Sequence, residues 1–127
     1  MRAGDALLLP KPGQTVAHLW VLLTDRDAAT DEVPVVNLTT QRPHSDTTVI
    51  LNSGDHPFVQ HATVVNFTVA RLIKAGLLTA FAHTGAYLPQ PPLSDAVLQR
   101  IQSGLLASLF TANKFKDYFR QRQASAS

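Results

Sequence analysis

Thr63-Val64-Val65-Asn66-Phe67-Thr68-Val69 has β-branched or aromatic residues at six of its seven positions. Such side chains lose rotamer freedom in a helix but pack well on a pleated surface, so the run reads as a strand. Just beyond it the texture changes, and Leu72, Ala75, Leu78 and Ala82 recur at helical spacing. The junction divides the chain into a β part, residues 4–73, and a helical part, residues 74–122, with a frayed tail at 123–127.

Working back from the junction, four more strands precede it. Ala6-Leu7-Leu8-Leu9 is a short apolar run closed by Pro10-Lys11-Pro12-Gly13, a turn segment that suits neither strand nor helix. His18 to Thr24 is almost continuously apolar, as expected of a strand buried on both faces, and a charged loop from Asp25 to Glu32 ends it. Val33 to Thr40 follows, with Pro34 near its start, where a missing amide is tolerable. After the polar loop Gln41 to Asp46, Thr47-Thr48-Val49-Ile50-Leu51 makes a fourth strand, and Asn52-Ser53-Gly54-Asp55 a reversal. No connection is long enough for a helical crossover, so the five strands should form a bent antiparallel sheet or small barrel.

Working forward, a short helix is expected from about Ala70 to Gly85, then an extended linker at Leu88-Pro89-Gln90-Pro91-Pro92. Ser94 has the character of an N-cap, and Asp95 lies in the first turn, where the helix dipole favours a carboxylate. Val97, Leu98, Ile101, Leu105 and Leu106 then mark the apolar stripe of a core-packed helix. Thr111 is placed to cap a last helix with Phe115, Tyr118 and Phe119 facing inward, opposite Lys114, Lys116, Arg120 and Arg122.

At 127 residues one core suffices, and 45% apolar against 16% charged residues describes a compact chain. Without cysteine there is neither disulfide nor thiolate chemistry. The four apolar residues before Pro10 fall far short of a signal-peptide core or of the ~20 residues of a membrane span, so the expectation is a cytoplasmic protein with no membrane partner. A net charge of +2 is too weak to demand a polyanion, although the basic last helix can touch nucleic acid or an acidic partner; a solvated helix face is the plainer reading. The glycines form no phosphate-loop or dinucleotide pattern, and neither HExxH nor GxSxG occurs.

What remains is Gly54-Asp55-His56-Pro57-Phe58-Val59-Gln60-His61, with two imidazoles and a carboxylate within seven residues. Imidazole titrates near neutral pH, so His56 and His61 can serve as a base and acid pair. RNA supplies its own nucleophile in the 2′-hydroxyl, and such a pair would cleave it without a metal or other cofactor, given a cation such as Arg71 for the phosphorane charge. Asp55, His56 and His61 as metal ligands are a second reading. In a third, Asp55 caps a turn, His56 is held by Pro57 and His61 is a polar start to a strand.

The order and texture of residues 4–73 resemble the MazF/PemK-like toxins, endoribonucleases built on a small SH3-like β-barrel with C-terminal helices. The resemblance runs through Gly4-Asp5, the loop 10–17, the strand His18 to Thr24, Val35-Val36-Asn37-Leu38-Thr39-Thr40, and Thr63 to Leu72. It implies a mostly β fold, an SH3-like antiparallel barrel followed by two or three helices. It further implies a toxin of a toxin–antitoxin pair that cleaves single-stranded RNA, binds a cognate antitoxin protein and forms a homodimer. Thr39 and Thr40 would contact substrate, His18 would stand at the mouth of the site, and the loop from Pro10 to Ala17 would fold over RNA. Asp55 and Asn66 complete the expected substrate contacts. Asn66 and Thr68 stand where the family carries a catalytic arginine and an acidic or comparable group, and Arg71 is the nearest cation. A non-catalytic SH3-like module binding a protein or nucleic acid is the alternative.

Overall fold

The structure, a computed structural model, describes residues 1–10, 17–83 and 88–126. It is mostly antiparallel β with three helices among the described residues, two of them C-terminal, as the sequence predicts. The elements are β1 (Ala6–Pro10), β2 (Ala17–Leu22), β3 (Glu32–Thr40), β4 (Ile50–Leu51), β5 (Thr63–Lys74), α1 (Ala75–His83), β6 (Leu88–Gln90), α2 (Asp95–Ala107) and α3 (Asn113–Ala126). The strands form one sheet in the order β4-β5-β3-β2-β1-β6, a curled half-barrel with edges at β4 and β6.

Alternation on β2 sorts the interior into two clusters. Leu19, Val21 and Leu23 join Val36, Leu38, Val65 and Phe67 on one face, covered by Val97, Ile101 and Leu105 of α2 and Phe115 and Phe119 of α3. Trp20 and Leu22 point the other way, with Leu7, Val33 and Val35, and meet Ala75 and Leu78 of α1. Apolar material on both sides is why this strand reads as an unbroken hydrophobic run.

Three elements depart from expectation. β5 continues through Lys74, because Arg71, Leu72 and Ile73 pair with Val35, Pro34 and Val33 across an irregularity in the register, so α1 starts only at Ala75. β4 shrinks to two residues because the Asp46 carboxylate accepts both the amide (2.9 Å) and the hydroxyl (2.5 Å) of Thr48 and holds it in a turn. The linker is partly a strand, β6, pairing with β1 through Ala6–Gln90 and Leu8–Leu88.

Ser94 does cap α2, its hydroxyl accepting the Val97 amide at 3.2 Å. Thr111 does not cap α3; its hydroxyl is buried and makes no hydrogen bond, and the helix opens two residues later. The helix also runs on to Ala126 rather than fraying at 123. Arg122 is drawn into the fold, donating to the Asp25 carbonyl at 3.0 Å and lying 3.8 Å from Asp27, so it does not belong to a solvated basic face.

Candidate functional site

His56 is 4% exposed, and both ring nitrogens are engaged. Nδ1 accepts the Phe58 amide at 3.0 Å, which makes Nε2 the protonated nitrogen; Nε2–H donates to the Pro91 carbonyl at 2.6 Å. The ring thus ties the 52–62 loop to the linker before α2. In this arrangement it has neither a lone pair nor a proton to offer a substrate.

Asp55 closes the preceding turn, its Oδ2 accepting the Asn52 amide at 2.8 Å, and Arg100 stands 3.6 Å away. Gly54 in that turn has φ +102°, a left-handed conformation that glycine adopts at little cost. The two residues expected to act chemically here are therefore turn and clamp. No three imidazole or carboxylate groups converge in a metal-ligating cluster among the described residues.

His61 has a different setting. It is exposed, on the approach to β5, and its Nε2 lies 3.0 Å from Thr40 Oγ1. Thr40 pairs with Thr63, and Thr39 with Val64, at the end of the β3–β5 ladder. His18 is half-buried at the start of β2, one position before Leu19, which pairs with Leu38. The antiparallel ladder thus gathers His18, Thr39, Thr40 and His61 at one end of the sheet. The loop expected to cover this end lies outside the described residues over 11–16.

Arg71 is elsewhere. It pairs with Val35, five residues along β3 from Thr40, which separates the two backbones by roughly 17 Å at ~3.3 Å per residue. Its guanidinium carbon sits 5.0 Å from the centroid of the Trp20 ring, a cation–π contact. Between Arg71 and Thr40, Asn66 faces Asn37 across the β3–β5 ladder, and Asn37 faces Trp20 across β2–β3.

No protein-family model matches this chain, and no curated protein matches it. The chain's own geometry describes the site. That geometry separates three groups that are close in sequence, His56, His61 and Arg71, and unites His61 with Thr40, twenty-one residues away. Sequence reasoning missed Asn37 and Trp20, which share a sheet face with Asn66. The signal available was a polar residue inside the apolar run Val33 to Leu38 and the lone tryptophan of the chain.

Proposed function

We propose that this chain is a metal-independent endoribonuclease acting on single-stranded RNA at the Thr40–His61 end of the sheet. The observation that carries the reading is the exposed His61 imidazole held 3.0 Å from the Thr40 hydroxyl. With Nε2–H donated to Thr40 Oγ1, Nδ1 keeps its lone pair and can take the proton of a 2′-hydroxyl. The 2′-oxygen attacks the adjacent phosphorus, the bond to the 5′-oxygen breaks, and the imidazolium returns its proton to that leaving oxygen. The products are a 2′,3′-cyclic phosphate and a 5′-hydroxyl. Thr39 and His18, which strand alternation places on the other face of the same end of the sheet, are the further substrate contacts in this reading. The resemblance of residues 4–73 to MazF/PemK-like toxins extends the proposal to a homodimeric toxin held by an antitoxin protein.

A second reading, a module that binds RNA without cutting it, is favoured by His56 being occupied and by Arg71 lying roughly 17 Å along the sheet, too far to neutralise charge at Thr40. One experiment separates them. Purified protein incubated with single-stranded RNA in EDTA should yield cyclic-phosphate ends, and His61→Ala should lower the rate at least about 100-fold, the scale of general acid–base catalysis. Undiminished cleavage by that variant would remove His61 from the role. Saturable binding with no cleavage by the wild-type protein would establish the module.

A further inference from the structure

The Asn37 side chain is 3% exposed, and its Oδ1 is buried without a hydrogen-bond donor. Such an orphaned acceptor is costly, and most buried carbonyl oxygens in folded proteins have a partner. Its position is informative. Asn37 stands directly opposite Trp20 on β2 and Asn66 on β5, so the three side chains share one sheet face. Trp20, itself 7% exposed, has the Arg71 guanidinium carbon over its ring, 5.0 Å from the centroid, on a side chain that is otherwise exposed.

A planar group over an indole, beside an unpaired carbonyl, is the arrangement that would receive a nucleobase: the indole offers a stacking surface and the carbonyl accepts an exocyclic amine. Arg71, on an exposed arm, can leave the indole without unfolding the sheet, and once released it can pair with a phosphate. We infer that Trp20, Asn37 and Arg71 form a nucleobase subsite, in which an amino-bearing base such as adenine or cytosine displaces Arg71 from Trp20 and donates its amine to Asn37 Oδ1. The displaced Arg71 then holds the phosphate of the same strand. This rests on the RNA reading above and adds its specificity. Asn37 and Thr39 share a face of β3, so an RNA strand bound at this subsite can run along that face toward Thr39 and His18 at the end of the sheet.

Trp20 is the chain's sole tryptophan, so its fluorescence reports on the subsite directly. Short 2′-O-methyl homopolymers, which lack the nucleophilic hydroxyl, would be titrated into the full chain, following tryptophan emission and, with an end-labelled oligomer, anisotropy. Oligo(A) and oligo(C) should quench Trp20 and bind about 2- to 10-fold more tightly than oligo(U), the span of one added hydrogen bond. Asn37→Leu, which removes the acceptor but fills its volume, should bring that ratio near one. Binding seen by anisotropy with unchanged Trp20 emission, or equal affinity for oligo(A) and oligo(U), would overturn the subsite while leaving the RNA reading intact. No binding of any oligomer by anisotropy would overturn both.

Discussion

At His56 a single ring closes two hydrogen bonds to backbone groups thirty-five and two residues away, inside a nearly water-free pocket. Replacing it by alanine strands the Phe58 amide and the Pro91 carbonyl and leaves a cavity. His56→Ala should therefore lose about 2–4 kcal/mol of stability, measured by urea unfolding, while the folded fraction keeps its behaviour toward RNA. A drop in RNA cleavage with unaltered stability would show instead that the ring leaves its clamp to act. The His56 and His61 pair illustrates the limit of local reading at this scale. The residue types and their spacing advertise proton transfer, but whether an imidazole is available depends on what the chain brings to its nitrogens. Pro91 reaches Nε2 of one ring and Thr40 that of the other, and neither partner can be inferred from the octapeptide around them.

Among the elements, α2 lies tight against Val49 and Phe67 at Gly104. A β-carbon there would run into the Val49 side chain, and Phe67 ring atoms would lie at 3.1 and 3.4 Å. Val49 is β-branched and immediately precedes the short edge strand β4, so it has little freedom to yield. Although alanine is the better helix former, Gly104→Ala should destabilise by about 1–3 kcal/mol, seen as a lowered melting temperature, because overpacking outweighs propensity. Equal or greater stability would mean that α2 can slide on the sheet. The helix itself is readable beforehand, from its Ser94 cap and its stripe of Val97, Leu98, Ile101 and Leu105. α1 is not readable to the same degree. Leu72, Ala75 and Leu78 fit a helical period, but residues 71–73 find hydrogen-bonding partners on β3, and that non-local pairing overrides the local pattern.

For the molecule as a whole, several carboxylates act as long-range ties. Asp31, at φ 61°, bonds Arg26 at 2.5 Å and accepts the Gly76 amide at 3.0 Å, while its carbonyl takes the Ala75 amide at 2.7 Å, so the charged loop before β3 caps α1. The Arg26 hydrogen bond, then the Gly76 amide, hold the Asp31 carboxyl below the ordinary aspartate range. For Asp46, partial burial acts upward, but hydrogen bonds from Ser108 at 2.6 Å and from Thr48 outweigh it, and the net displacement is again downward. A carboxyl depressed in the folded state contributes stability that is fully present above its unfolded value, about 3.9, and fades as pH falls through the lower folded value. The melting temperature should therefore be level from neutral pH to about 5 and decline below about 4. Asp31→Asn should shallow that decline; an unchanged acid limb in this variant would show that the tie contributes nothing. No helix among the described residues is long and apolar enough to cross a membrane.

By itself the sequence determined the order and type of most elements: β-branched runs are strands, the capped apolar stripe is a helix, and a chain whose strands precede its main helices, with short connections between them, forms an antiparallel sheet with helices behind. These are consequences of side-chain shape and periodicity, which act locally. Only the tertiary structure decided where β5 ends, that α1 takes its cap from Asp31 forty-five residues away, and that His61 meets Thr40 while His56 is enclosed. It also left Asn37 Oδ1 unpaired beneath the face that Arg71 covers. Each of these is set by which distant groups share a strand register or a packed face, and hydrogen-bond partners chosen across the fold leave no trace in the spacing of residues along the chain.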